Sequence, residues 1–170
     1  MARLRAQRDG GQTSTKERAR PSRANRELAL RYTVDASVFV NAFNPHEQGH
    51  AESLRLLSLL QERGDPVIVP TLLVTEIAAA VARATDDTAG AIEYANATAA
   101  LPQLTLIPLT AAVARQAADL AATHRLRGAD AVYVAVARRY GTTVVSRDDE
   151  QRARGAVVVT CWTPEQALKA

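Results

Sequence analysis

From residue 30 onward, short runs of β-branched residues alternate with longer segments whose apolar residues have helical spacing. This alternation is typical of a parallel sheet that is covered by helices on both faces. We therefore expect a three-layer α/β/α fold with a mostly parallel central sheet. The predicted strands are 31–34, 67–69, 104–107, 143–146 and 156–160, and the predicted helices are 37–43, 48–63, 71–84, 87–99, 110–124, 129–140 and a short one near 148–153.

The length and the cysteine content narrow the class of protein. A chain of 170 residues fits a single domain with a substantial core. Its single cysteine, Cys161, excludes an internal disulfide and a cysteine-based zinc site, which suits a reducing compartment. The N-terminal residues are charged and have no apolar run behind them, so we expect no secretory signal, and no run approaches the roughly 18 apolar residues of a membrane helix. We expect a cytoplasmic protein that does not enter a membrane.

Charge is distributed unevenly along the chain. Residues 1–30 contain eight basic and three acidic residues, whereas residues 31–170 contain 13 basic and 15 acidic residues, a net of −2. Residues 1–28 also lack periodicity, so we predict a disordered basic extension followed by a folded domain over 29–170. This extension could attract nucleic acid without sequence preference, or it could be dispensable. The folded domain itself is not basic.

Four acidic residues adjoin apolar segments: Asp35, Glu76, Asp130 and Asp148. A buried carboxylate is costly unless it is paired or binds a metal, and the neighbouring segments offer few cations. Asp35 directly follows the predicted strand 31–34, and Asp148 closely follows the predicted strand 143–146. The carboxyl ends of these strands share one edge of a parallel sheet. The sequence therefore predicts that the four side chains converge there around a divalent metal ion.

Each acid also has a structural interpretation. Asp130 could be an N-cap or a first-turn acid of its helix, and Asp148 could be an N-cap, with Gln151 three residues later as in a capping box. Asp35 could close a turn. Glu76 has no such role, because it lies inside a predicted helix among apolar residues. As a group, the acids favour a site for Mg²⁺ or Mn²⁺, ions that activate water and stabilise charge on a phosphodiester.

Four segments in order resemble PIN-domain nucleases, in particular the VapC-type toxins of toxin–antitoxin pairs. They are YTVDASVFVNAF at 32–43, VPTLLVTEIAAAV at 69–81, LRGADAVYVAVARRYG at 126–141 and TTVVSRDDE at 142–150. The resemblance extends over about residues 31–162. It implies an endoribonuclease that requires Mg²⁺ or Mn²⁺, forms a homodimer and is neutralised by a small VapB-like antitoxin, often through a basic residue inserted into the acidic pocket.

The resemblance also implies roles for individual residues. Asp35, Glu76, Asp130 and Asp148 match the acidic positions of the family, and Ser37 matches its small hydroxyl residue. Ser37 could orient a carboxylate or a water molecule, or could be the N-cap of helix 38–43. Ser146 stands where the family more often has threonine, and Asp149 makes the fourth acidic position ambiguous.

Two alternatives stay open. One is a housekeeping PIN-domain nuclease that processes RNA, and the other is a non-catalytic PIN-like module that binds RNA or protein. The retained acidic residues disfavour a pure RNA-binding surface, which should be basic.

Overall fold

A computed structural model describes residues 31–170. The predicted basic extension, residues 1–28, lies outside the described residues. The described chain contains five strands, β1 (Tyr32–Val34), β2 (Val67–Pro70), β3 (Leu104–Ile107), β4 (Thr143–Val145) and β5 (Cys161–Trp162). Its helices are α1 (Ala36–Phe43), α2 (His50–Arg63), α3 (Leu72–Thr85), α4 (Thr88–Ala99), α5 (Ala111–His124), α6 (Gly128–Tyr140), α7 (Asp149–Gly155) and α8 (Pro164–Ala167).

The strands form one sheet in the order β3-β2-β1-β4-β5, and every neighbouring pair is parallel. β1 and β4 are central, and their register pairs Tyr32 with Thr143 and Val34 with Val145. Because all strands run the same way, their carboxyl ends share one edge of the sheet. The predicted α/β fold with a mostly parallel sheet is confirmed.

Helices cover both faces of the sheet. On one face, a core joins apolar residues of the strands, such as Val34 and Val69, to α1, α2, α3 and α4. α6 packs against β1, β2 and β4, with α5 outside it. Every residue from Ala131 to Ala137 in α6 is buried, which explains why this helix lacks the polar stripe of a surface helix. The layers are the predicted α/β/α arrangement.

Two of the predicted helix ends depend on glycine. α2 ends at Gly64 (φ +66°) and α6 ends at Gly141 (φ +63°), both in the left-handed region that glycine enters at little cost. The short loops that follow each glycine lead directly into β2 and β4. The glycines therefore return the chain to the sheet at the positions that the sequence indicates.

The predicted strand 156–160 is wrong. Val158 and Val159 form a turn instead, because both of their backbone N–H groups donate to the carbonyl of Gly155 at the end of α7. Their side chains pack against the core between α5 and α6, so the β-branched run is used for helix packing rather than for pairing. Ladder pairing with β4 starts at the carbonyl of Thr160, and the strand itself is Cys161–Trp162.

Within residues 31–170, no helix is long and apolar enough to cross a membrane.

Candidate functional site

The four predicted acids line one cleft at the carboxyl edge of the sheet. The cleft has a volume of about 570 Å³, and Asp35, Glu76, Asp130 and Asp148 all contribute to its wall. Asp35 directly follows β1, and Asp148 follows the neighbouring strand β4. α3 and α6 supply the other two acids. The fold thus brings together side chains that are far apart in sequence, as the position of strand ends in a parallel sheet predicts.

Asp35 is the most deeply buried of the four, with 7% of its surface exposed. It is the N-cap of α1: Oδ1 accepts a hydrogen bond from the backbone N–H of Ser37 at 2.9 Å. Oδ2 accepts one from Nε2 of Gln151 at 3.2 Å. Burial raises the pKa of Asp35, and the charge of Asp148 adds to this rise, whereas the hydrogen bonds from Ser37 and Gln151 oppose it. These donors stabilise a carboxylate that burial disfavours.

Glu76 lies within α3, and its role is not capping. Its Oε2 accepts a hydrogen bond of 2.6 Å from the hydroxyl of Tyr133 in α6. Burial raises the pKa of Glu76, and the charges of Asp35 and Asp130 raise it further, while the Tyr133 hydrogen bond lowers it. The pKa of Tyr133 is well above its usual value, chiefly because the ring is buried and also because Asp35 and Glu76 are nearby. Tyr133 therefore stays neutral and donates to Glu76.

Asp130 occupies the first turn of α6. Its Oδ2 is buried and has no hydrogen-bond partner among the described residues. The pKa of Asp130 is raised to about 6, chiefly by burial and then by the negative charges of Asp35 and Asp148. An acid with an unpartnered oxygen, facing other acids, is a group that a bound cation would stabilise.

Asp148 is the N-cap of α7, and its Oδ1 accepts from the backbone N–H of Gln151 at 2.9 Å. Its Oδ2 pairs with Arg127 at 3.0 Å, and Arg127 also pairs with Glu150 at 2.6 Å. Asp149 instead projects into solvent, with its side chain 94% exposed, and pairs with Arg152. Asp148, not Asp149, lies in the cleft with the other acids.

Ser37 and Ser146 connect the ends of β1 and β4. Their hydroxyl oxygens are 3.4 Å apart. Ser37 accepts a hydrogen bond from the backbone N–H of Arg147 at 3.0 Å, and Ser146 accepts one from the backbone N–H of Asp148 at 3.0 Å. The interpretation of Ser37 as the N-cap is wrong, because Asp35 fills that position and Ser37 lies in the first turn of the helix. The two hydroxyl groups fix the loop that carries Asp148.

Three residues of the site are not apparent from the sequence. Gln151 appears there as a capping-box partner of Asp148, but its fully buried side chain reaches Asp35 instead. Tyr133 appears as one more residue of an apolar run in α6. Arg127 precedes that helix, and no motif or periodicity in the sequence marks it as a residue of the site. The polar atoms of Gln151 and Tyr133 within buried segments are the signal that could have marked them, because buried polar groups need partners.

The kind of ligand present suits a hard divalent cation, because carboxylate oxygens are what Mg²⁺ and Mn²⁺ prefer. The unpartnered Oδ2 of Asp130 and the mutual repulsion of the acids also fit such an ion. Even so, among residues 31–170 no three His, Cys, Asp or Glu side chains already stand close enough to hold one ion together. The acids share a cleft, but their ligand geometry is not preformed.

Curated protein sequences gave no match to this chain. Among solved structures, it resembles VapC20 of Mycobacterium tuberculosis, a toxin that cleaves the sarcin-ricin loop, with a TM-score of 0.63 and 21% identity over 74% of this chain and 95% of that chain. It resembles a chain of VapBC2 from Rickettsia felis, bound to a promoter DNA fragment, with a TM-score of 0.59 and 13% identity over 79% and 98%.

PAE2754 of Pyrobaculum aerophilum is a third similar structure, with a TM-score of 0.62 and 19% identity over 84% of this chain and 89% of that chain. At these identities the likenesses concern the fold. The PIN domain, as a sequence family, matches residues 32–157, a span that includes all four acids. On this match, which extends over most of the described residues, the chain belongs to the PIN domain family.

Proposed function

We propose that the protein is an endoribonuclease that requires Mg²⁺ or Mn²⁺ and acts as the toxin of a type II toxin–antitoxin system. The observation that carries this proposal is the convergence of Asp35, Glu76, Asp130 and Asp148 on one cleft at the carboxyl edge of the sheet. Membership of the PIN domain family supports a nuclease. The similar structures from toxins and toxin–antitoxin complexes support the finer proposal of a toxin.

In this proposal, Asp35, Asp130 and Asp148 hold the ion, and Glu76 binds it directly or through water. A divalent ion supplies a more acidic water molecule and stabilisation of charge on the phosphodiester oxygens. Because no three of these side chains are at ligand spacing within residues 31–170, binding of an ion would require side chains to turn. Asp148 has a partner to release, since Arg127 occupies its Oδ2.

The other residues of the site position the acids. The N–H of Ser37 and the side-chain amide of Gln151 hold Asp35 in one orientation, and the hydroxyl of Tyr133 holds Glu76. These donors lower the pKa of two acids whose pKa burial raises, and so favour their ionised form.

The direct test is cleavage of RNA by the purified full-length protein. We expect cleavage with Mn²⁺ or Mg²⁺, no cleavage with EDTA, and none by Asp35→Asn. Asp119→Asn is the matched control, because Asp119 is an exposed acid of α5 that does not line the cleft. Wild-type cleavage by Asp35→Asn would overturn the site assignment. RNA binding by a wild-type protein that never cleaves would favour the non-catalytic module.

A second experiment separates the toxin from a housekeeping nuclease. Induced expression of the wild-type chain should arrest bacterial growth, and expression of Asp35→Asn should not. We further propose a homodimer and a VapB-like antitoxin as partners, and co-expression of that antitoxin should restore growth. Cleavage of RNA without growth arrest would favour a housekeeping role in RNA processing.

A further inference from the structure

The acidic cleft continues into a second cleft of about 430 Å³. The two share Ser37, Val40 and Asp148 in their walls, so together they form one groove across the carboxyl edge of the sheet. We call this the cross-site groove. Its middle is acidic, and each part contributes one arginine: Arg83 lines the first cleft, and Arg147 lines the second together with Glu47, whose carboxylate accepts hydrogen bonds from Asn41 and Asn44. Asp148, in the wall common to both clefts, therefore lies between the two arginines.

Arg147 is held in place at its end of the groove. Its guanidinium donates from Nη1 to Oε1 of Glu165 at 3.0 Å. It also lies over Gly49, whose φ of +81° and missing side chain leave room that a Cβ atom would fill. Its backbone N–H donates to Ser37 in the acidic cleft. The guanidinium is thus a pre-organised cation, fixed to the same loop that positions Asp148.

Arg83 stands at the other end, on the same face of α3 as Glu76. The two are seven residues apart, which is close to two helical turns, and Ala79 and Ala80 lie between them in the wall of the cleft. These small side chains leave the surface open along the helix. Arg83 is exposed and forms no ion pair within residues 31–170. Its guanidinium is therefore available to a ligand.

A polyanion that reaches the acids must cross a region of negative charge, and the described domain has a net charge of −2. Cations on both sides of the acids would offset the repulsion and fix the strand across them. The two clefts have volumes of the size of sites for small organic ligands, and Asp35 in the first is only 7% exposed, so a single strand can approach this acid more closely than a duplex can. Guanidinium groups suit phosphate because they donate hydrogen bonds in a fixed fork.

We propose that the cross-site groove binds the backbone of single-stranded RNA, with Arg83 and Arg147 contacting phosphates on opposite sides of the acidic residues. This rests on the proposed ribonuclease function and names the path of its substrate. Arg83 and Arg147 are positioning residues: they hold the strand, and they take no part in bond cleavage.

The test is the salt dependence of binding, measured by fluorescence anisotropy with a labelled single-stranded oligouridylate and EDTA present to prevent cleavage. Loss of one phosphate contact should reduce the slope of log K against log[salt] by about 0.7 for a single strand. We expect this reduction in Arg83→Gln and in Arg147→Gln. Arg115→Gln is the matched control, an exposed arginine of α5 outside the groove. All proteins retain residues 1–30, so any contribution of that basic segment cancels.

Arg147→Lys guards against a purely structural effect of Arg147→Gln. Lysine keeps the charge, so the slope should return towards that of the wild type, whereas a packing defect would persist. In the cleavage assay, both glutamine variants should raise KM several-fold with a smaller change in kcat. The oligouridylate annealed to its complement should bind less tightly than the single strand.

The outcomes distinguish this proposal from the proposed function. Slopes of Arg83→Gln and Arg147→Gln equal to that of Arg115→Gln, in a protein that cleaves RNA, would overturn the groove and leave the ribonuclease intact. Reduced slopes in a protein that never cleaves would support the groove and overturn the ribonuclease. Tighter binding of the duplex would overturn the single-strand path.

Discussion

Gln151 donates a hydrogen bond of 3.2 Å from Nε2 to Oδ2 of Asp35, 116 residues earlier in the chain. The backbone N–H of the same glutamine donates to Asp148 at 2.9 Å. One fully buried residue at the start of α7 therefore contacts two acids of the cleft, which come from the ends of two different strands. This places Gln151 among the residues on which the geometry of the site depends.

Replacing Gln151 by leucine should destabilise the protein and shift its pH profile. The change removes a donor from a buried carboxylate, which costs about 1–3 kcal/mol in the free energy of unfolding. It also removes an interaction that lowers the pKa of Asp35, so the acid limb of the pH–rate profile should move to higher pH. Urea denaturation and the pH dependence of RNA cleavage measure the two effects. Gln61→Leu, on the exposed face of α2, should change neither.

Tyr133→Phe should weaken the site while leaving its shape nearly intact. The ring is fully buried, and phenylalanine keeps its packing, but the 2.6 Å hydrogen bond to Glu76 is lost. We expect a loss of about 1–2 kcal/mol in stability and a further rise in the pKa of Glu76, with reduced cleavage near neutral pH. Tyr140→Phe is the control on the same helix, since Tyr140 is 36% exposed. Equal effects of the two variants would contradict a specific role for Tyr133.

Substitution of the two adjacent acids should identify the fourth acid of the site. Asp148→Asn should reduce metal-dependent cleavage by more than about a hundredfold, because Asp148 lines the cleft. Asp149→Asn should leave the rate almost unchanged, because its side chain is 94% exposed and pairs only with Arg152. Asparagine can still cap α7, so both variants should fold. The reverse order of activities would assign the role to Asp149.

The metal-free protein should lose stability as the pH rises through the titration of Asp130. The unfolded chain releases this proton near pH 3.8, whereas the folded protein holds it up to about 6. Between these values the folded state binds more protons than the unfolded state, so raising the pH removes stability, and the loss is complete above the folded pKa. Asp130 is half-buried, so we expect the loss to be about 1–2 kcal/mol.

Asp130→Asn removes that charge. Above about pH 6 its free energy of unfolding should exceed that of the wild type, and below pH 3.8 the difference between the two proteins should be smaller. The measurement is urea denaturation in EDTA from about pH 4 to pH 8. Asp119→Asn serves again as the exposed control and should run parallel to the wild type. A wild type whose stability relative to Asp130→Asn does not change with pH would show that Asp130 is not destabilised by its neighbours.

Much of the fold can be predicted from the sequence, because the apolar periodicity and the glycines that end helices indicate the same boundaries. Gly64 and Gly141 sit where the helical spacing stops, and the structure places both in the left-handed region. The strand at 156–160 is the exception, because a β-branched run predicts pairing only if its backbone is free to pair. The N–H groups of Val158 and Val159 donate to Gly155 instead, and their side chains pack on a core between α5 and α6, helices that lie far earlier in the sequence than these two valines.

The site shows the same division. Acids beside apolar segments indicate which carboxylates converge, because the ends of parallel strands must meet at one edge of the sheet. The donors that hold those carboxylates are less visible. Tyr133 reaches Glu76 across 57 positions, and Gln151 is explained equally well by local capping until the tertiary contact is known. A tertiary hydrogen bond made by a single side chain produces no periodic pattern in the sequence.

The register of β1 against β4 has a consequence beyond the sheet. Val34 pairs with Val145, so Asp35 and Ser146 leave the sheet side by side, and the backbone N–H of Asp35 donates to the carbonyl of Val145. A slip of one residue would separate these two exits, and it would also exchange the side chains that the slipped strand presents to the two helical layers. Errors of alignment in the site are therefore also errors of folding. The pairing of these two strands therefore sets where Asp35 and the loop that carries Asp148 leave the sheet.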